Sequence, residues 1–218
     1  PIAYWAPEKI REIYSSEVVI DSDVGELEER ESAASANVGL QTSEDDRFLR
    51  YFWESESESF VPFAKGGEDA WLLPRIELKV NWFNEGKEVK RFEGSYPRNE
   101  DSYFSEALTY TVFKRTGRRF GYLHPNSIFA HVGSVLTTDK NILNMMAYLN
   151  SQMTSYLMLC QTPERNWNVG LLSRLPWDED LEDEEDLEEK IESMLGLKIG
   201  LRSRDPNSPL YIGPLALR

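Results

Sequence analysis

The chain has 218 residues, 40% of them apolar, six Trp and a formal net charge of −14, which suffices for one well-filled core. No apolar run approaches the roughly 20 residues that span a bilayer, and the first residues lack the basic-then-apolar pattern of a secretory signal. The single cysteine, Cys160, excludes an internal disulfide and points to a reducing cytoplasm. The chain begins with Pro1 rather than Met, so a piece of a longer protein is expected.

In sum the charge opposes nucleic-acid binding, which depends on neutralising phosphates. Its distribution tells a different story. Residues 1–64 carry 5 basic and 15 acidic side chains, residues 65–175 carry 14 and 11, and residues 176–218 carry 5 and 12. A mildly basic middle lies between acidic ends. Only nine of the 24 basic residues are Lys, and with acids crowding the loops this suggests a salt-adapted, halophilic surface.

Taken in order, the apolar spacing at Ile10, Ile13 and Tyr14 predicts a short helix. Residues 21–37 are acidic, rich in Ser and Ala and without period, the composition of an exposed or disordered loop. Residues 39–50 bring Arg47 and Arg50 on a polar helix face. Residues 54–59 alternate Ser and Glu and read as a surface loop. Lys65 precedes the pair Gly66-Gly67, which allows close backbone approach to a neighbour or a ligand. Ile76, Leu78, Val80 and Trp82 alternate with Glu77, Lys79 and Asn81, predicting a half-buried strand. Asn84-Glu85-Gly86 suits a hairpin loop, so residues 87–92 are predicted to return as the partner strand, exposing Lys87, Lys90 and Arg91.

Residues 108–114 and 118–123 read as two further strands about a turn at Thr116-Gly117. Lys114, Arg115, Arg118 and Arg119 converge on it, beside Tyr110, Phe113, Phe120 and Tyr122. Basic residues interleaved with aromatics at a hairpin tip suit phosphate contact or insertion into a groove, although an ordinary charged hairpin has the same look. His124 and His131 lack partners at metal-ligand spacing, and a structural role is expected for them. Ile142, Leu143, Met145, Met146 and Leu149 share one helical face, with Thr138 or Asp139 as the cap. Asn150-Ser151 interrupts, and Met153, Tyr156, Leu157 and Cys160 form a second stripe stopped by Pro163. Residues 167–175 read as a short strand ended by Pro176. The acidic run 178–189 reads as a solvated face leading into a helix that ends at Gly196, and Leu210, Tyr211 and Ile212 are expected to dock on the core. The sum is an α+β fold: a twisted, mostly antiparallel sheet over about residues 71–137, then a pair of packed helices.

The stretch AYLNSQMTSYLMLCQTPERNWNVGLLSRLPW at 147–177 resembles the closing segment of target-recognition domains in adenine-specific DNA methyltransferases. The family is that of the BREX phage-defence methyltransferase PglX and the single-chain type IIG restriction-modification enzymes. Shorter stretches carry the same resemblance. They are PIAYW at 1–5, GLQTSEDDRFLR at 39–50 with Trp53 behind it, VPFAKGG at 61–67 with Trp71 following, and VNWFNEGKEVK at 80–90. YF at 103–104 with ALTY at 107–110 is another. The chain departs from the family pattern at Ser43, where Gly is usual, and at Asp45, where Asn is usual.

The resemblance implies a 1–20 linker from a methyltransferase domain, a 21–177 DNA target-recognition domain and a 178–218 acidic helix and tail. It implies double-stranded DNA as partner, together with the methyltransferase domain of the parent protein. S-adenosylmethionine would serve adenine-N6 methylation in that parent. This chain has no G-x-G turn and no Pro-Pro pair, so it offers neither the cofactor cradle nor the loop that holds a flipped adenine. No catalytic residue, metal ligand or cofactor is therefore assigned to it. The candidate DNA contacts are Arg47, Arg50, Lys65, Lys87, Lys90, Arg91, Lys114, Arg115, Arg118 and Arg119. Two other readings stand beside this one. Glu77-Leu78-Lys79 on one strand, completed by Glu68 or Asp69, would suit a metal-dependent nuclease, and the acidic flanks would suit a protein-interaction module with a basic partner.

Overall fold

The computed structural model describes residues 6–23, 30–66, 71–113, 119–162 and 166–212. The chain opens with α1 (Glu8–Ile13), β1 (Val18–Val19), β2 (Glu31–Ser32) and β3 (Ser35–Asn37). Next come α2 (Asp45–Phe48), running directly into β4 (Leu49–Tyr51), then β5 (Phe60–Ala64), β6 (Leu78–Asn81) and α3 (Phe83–Arg91). β7 (Ala107–Tyr110), β8 (Phe120–Leu123), β9 (Ile128–Phe129) and β10 (Val135–Thr137) follow. The helices α4 (Ile142–Leu149), α5 (Gln152–Gln161), α6 (Val169–Leu172) and α7 (Glu185–Arg202) complete the order.

The fold is α+β and mostly antiparallel, as expected, but its strands form more than one sheet. The order β3-β10-β7-β8 is antiparallel throughout, and β4-β6-β5-β9 is antiparallel except for the β5–β9 pair. A short parallel pairing of β1 with β2 stands apart. The first of these sheets separates two cores, because alternate side chains of a strand point to opposite faces. Leu108, Tyr110, Phe120 and Leu136 pack with Met145, Met146, Leu149 and Leu157 of the helices. Ala107, Leu123 and Val135 pack with Leu49, Phe63, Val80 and Ile128 of the second sheet. All four residues of β7 are buried in consequence. The layers run helices, sheet, sheet.

The paired helices meet the sequence reading closely. Asn141 caps α4, accepting from the amides of Leu143 and Asn144, so the cap falls later than Thr138 or Asp139. Ser151 caps α5 through the Thr154 amide. Between them Asn150 reaches the edge strand β8: its Oδ1 accepts from Phe120 N at 3.0 Å and its Nδ2 donates to Phe120 O at 3.0 Å. One side-chain amide thereby bonds both backbone groups of Phe120, whose carbonyl also accepts from Leu72 N at 3.0 Å. Met146 O accepts from the same Nδ2 at 2.9 Å.

Other expectations are corrected. Within 21–37, Asp21, Ala33 and Ala34 are buried, and Asp21 Oδ2 accepts from Ala36 N at 2.7 Å; residues 24–29 lie outside the described residues. A buried carboxylate taking backbone N–H groups supplies the order that composition did not suggest. Residues 167–175 form the turn of helix α6, capped by Asn168, because Leu172 and Leu175 are three apart and both fully buried. Only their end is extended, where Leu175 O accepts from Ile20 N and Trp177 N donates to Val18 O. α7 passes through Gly196 to Arg202. The acidic run does more than face solvent: Glu182 accepts from Asn141 N and Glu188 from Asn141 Nδ2, both at 2.8 Å. Carboxylates suit that end of α4, where backbone N–H groups are unpaired. Leu210, Tyr211 and Ile212 remain exposed; the tail is held instead by Ile212 N on Ser203 O and by Arg75 on Asn207 O.

Asn150→Ala removes both bonds to Phe120 and strands its amide, while the carbonyl keeps only the Leu72 N–H as donor. The unfolding free energy should fall by about 2 kcal/mol, read as a lowered urea midpoint with an unchanged slope.

Candidate nucleic-acid interface

The outer face of the second sheet is assembled by register. Arg50 of β4 lies opposite Lys79 of β6, and Lys79 opposite Pro62 of β5. Asn81 and Phe60 share that face, while Leu49, Val80 and Phe63 turn into the core. Like charges directly opposite each other across a pair of strands are destabilising. Among the described residues no carboxylate stands within ion-pair distance of Arg50 or Lys79. Each donates only to backbone: Arg50 Nη1 to Asp46 O (2.8 Å) and Leu49 O (2.5 Å), Lys79 Nζ to Ser55 O (3.1 Å). Lys79 reaches no functional reading in the sequence except as part of a nuclease, because the register that faces it with Arg50 is not written in either strand.

Asn81 carries this face into α3. The predicted hairpin is absent here. Asn84, Glu85 and Gly86 are all left-handed, with φ of 49°, 58° and 72°, and three such residues turn the chain into a helix rather than back along β6. At Gly86 an added Cβ would lie 2.5 Å from the Trp82 ring, so a side chain is excluded by space as well as by φ. Val89 is fully buried beneath the helix and Phe92 packs beside it. The spacing 86, 89, 92 is helical, and that is the signal the alternation argument overrode. Left-handed conformations cost non-glycine residues roughly 1–2 kcal/mol each, so Asn84 and Glu85 are held there by the packing around them. Ser43 is likewise left-handed, with φ of 60°, as its departure from glycine suggested.

The sequence-predicted cations separate into distinct classes. Arg47 donates to Glu88 Oε1 from Nε (3.2 Å) and Nη2 (3.0 Å), and its guanidinium lies 5.2 and 5.1 Å from the Phe48 and Phe92 ring centroids. Asn81 Nδ2 donates to the other Glu88 oxygen at 3.3 Å. Lys65 is tied to Asp45. Burial alone would raise the Asp45 carboxyl, but hydrogen bonds from Lys65 and Thr42 and the Lys65 charge outweigh it, and the pKa is lowered. Lys90 is tied to Glu100 and lies over the Trp82 ring. Lys87 and Arg91 are exposed and, among the described residues, have no carboxylate partner. With Arg47, Asn81, Phe83 and Asn84 they line an open pocket of about 380 Å³. Lys114, Arg115 and Arg118 lie outside the described residues, and His124 and His131 are exposed.

Arg119 requires a correction. It is 1% exposed, not at a hairpin surface. Its guanidinium sits 3.8 Å from the Trp167 ring centroid, and Nη1 donates to Thr111 O (3.1 Å) and Val112 O (2.9 Å). Burial brings its pKa down to about 10, so it stays charged at neutral pH with the ring face and two carbonyls replacing water. The nuclease reading gains nothing from the geometry. Glu77 is paired with Arg75 at 2.5 Å, Glu68 and Asp69 lie outside the described residues, and no metal-holding acid, His or Cys cluster occurs among those described.

The chain is 31% identical over 153 residues to the adenine-specific methyltransferase BrxX of Escherichia coli O9:H4 (strain HS), covering 63% of this chain and 13% of that protein. It is 24% identical over 202 residues to the adenine-specific methyltransferase PglX of Lacticaseibacillus casei (strain Zhang), covering 81% of this chain and 16% of that protein. This chain is similar to a stretch of each of these two methyltransferases. It spans less than a fifth of the length of either. No family model matches it. Among the described residues no helix is long and apolar enough to cross a membrane. Four basic side chains without an acidic partner among the described residues, Arg50, Lys79, Lys87 and Arg91, thus lie on the β4–β6 outer face and α3, while Arg119 braces the interior.

Arg119→Ala should lower the unfolding free energy by about 3 kcal/mol, because the Trp167 ring loses its cation and the carbonyls of Thr111 and Val112 each lose a charged donor. A surface arginine would cost under about 0.5 kcal/mol, so urea denaturation separates the two placements.

Proposed function

We propose that this chain is the DNA-recognition part of an adenine-N6 DNA methyltransferase of a BREX-type phage-defence system. Residues 21–177 form the recognition domain, and the β4–β6 outer face with α3 lies against the duplex. The observation that carries the reading is the Arg50–Lys79 pair: two cations set opposite each other without an acid between them, a cost that a phosphate offsets. Arg and Lys contacts to phosphate fix a protein's position on the duplex without reading its sequence. Lys87 and Arg91 extend the same positive surface, and the relatives, both adenine-specific methyltransferases, supply the kind of enzyme. Lys114, Arg115 and Arg118 are proposed as a second basic contact.

In this reading the methyltransferase domain of the parent protein is the second partner. It binds S-adenosylmethionine and takes the adenine from the stack, while the recognition part selects the site and holds the duplex. Two acids near the face are already engaged, Asp45 with Lys65 and Glu88 with Arg47.

Arg50→Ala with Lys79→Ala should weaken binding of the 218-residue chain to every duplex sequence. The slope of log affinity against log salt should fall by about 2, near one for each phosphate no longer neutralised. Equal affinity of variant and parent at low salt would remove this face from the DNA.

A further inference from the structure

The pocket beside α3 has a composition that a paired duplex does not need. It is concave, about 380 Å³, and lies between α2, the end of β6 and α3. Phe83 stands at its rim, 62% exposed, although a phenyl ring gains by burial. Lys87 and Arg91 are four residues apart in the regular part of the helix and so share a face. Asn84, Lys87 and Arg91 have no side-chain hydrogen bond or ion pair among the described residues. The floor is finished: Glu88 is neutralised by Arg47 and bonded by Asn81, and Asn81 Oδ1 accepts from Phe83 N at 3.2 Å.

We propose that this pocket binds one unpaired nucleotide, its base against Phe83 and Asn84 and its phosphates at Lys87 and Arg91. An exposed aromatic face beside cations is the arrangement that holds single-stranded nucleotides, the ring taking the base and the cations the backbone. A free side-chain amide adds a donor and an acceptor for a base edge, and that edge is open only when the base is unpaired. The left-handed turn at Asn84 and Glu85 sets Phe83 and Asn84 at the rim, and the Gly86–Trp82 contact fixes it. Lys90, between Lys87 and Arg91 in sequence, is turned away to Glu100 and Trp82, and Arg47 at the pocket is held by Glu88, so Lys87 and Arg91 are the pair open to a ligand.

The inference rests on the DNA-recognition reading and specifies the state of the DNA. An enzyme that acts on a base amino group takes the base out of the stack and leaves its partner without a pair. A pocket for an unpaired nucleotide in the recognition part stabilises that opened duplex over the closed one.

The test uses the 218-residue chain at low salt with two labelled probes, a short duplex and the same duplex carrying one bulged nucleotide. Fluorescence anisotropy should show roughly tenfold tighter binding of the bulged probe, the scale of one base stacked on a ring. Phe83→Ala should abolish that preference while leaving the plain duplex unchanged, and Lys87→Gln with Arg91→Gln should reduce it. Arg50→Ala with Lys79→Ala should weaken both probes alike. Equal binding of the two probes by the parent chain overturns the proposal, as does a bulge preference that survives both sets of pocket variants. If those variants weaken the plain duplex as much as the bulged one, the pocket is a duplex contact; the proposal falls and the recognition reading stands. Binding of neither probe overturns both.

Discussion

The bond pair between Asn150 and Phe120 is the constraint on which the layering depends. β8 is an edge strand, and its free side at Phe120 presents a donor and an acceptor that require partners. Asn150 bonds both with one amide, sharing the carbonyl with Leu72 N, and it does so from the break between α4 and α5. The helix pair is thereby set against one face of the central sheet, so that Met145, Met146 and Leu149 meet Leu108, Phe120 and Leu136. The neighbouring residue extends the same logic. Arg119 faces Trp167 and the carbonyls of Thr111 and Val112, tying the start of β8 to the segment leading into α6. The Leu-Asn-Ser break is thus a joint between layers, and the sequence around it is constrained by what β8 exposes.

With that joint made, the central sheet can serve two cores, and the second sheet rests on its other face. The second sheet then needs only one apolar side. Leu49, Val80 and Phe63 supply it, which frees the opposite side for Arg50, Lys79 and Asn81. A cross-strand cation pair would be hard to accommodate on a buried face. On the outermost layer solvent moderates the repulsion without removing it, and two charges are left open.

What was legible in the sequence follows from how local each determinant is. The paired helices were legible because apolar periodicity acts within a turn or two, although the cap of α4 is Asn141 rather than Thr138 or Asp139. The β7–β8 pair was legible because its two runs lie close together in one stretch of sequence. The hairpin at residues 76–92 misled because Asn-Glu-Gly suits a left-handed turn equally well when the chain leaves it as a helix. What decides between them is Gly86 against the Trp82 ring and Val89 in the core, both tertiary facts. Arg119 misled for a related reason: composition places arginine outside, and only Trp167, 48 positions later in the sequence, makes an interior site tolerable. Lys79 was invisible as a partner of Arg50, since nothing in either strand announces the register that brings them opposite.

The same layering resolves the conflict between a net charge of −14 and a basic face. The acidic run leading into α7 gathers at the N-terminus of α4, where Glu182 and Glu188 hold Asn141. α4 lies on the helix side of the central sheet, and the Arg50–Lys79 face is the far side of the second sheet. Sheets stack about 10 Å apart and helices pack at similar distances, so two layers put roughly 20 Å between the acids and that face. At physiological ionic strength the Debye length is about 8 Å. Across more than two such lengths the acidic run scarcely weakens the local field, whereas Glu88 and Asp45, which share the basic side, are neutralised by direct pairing. For a layered molecule, whole-chain charge is therefore a poor guide to what one face attracts; the layer in which each charge sits decides it.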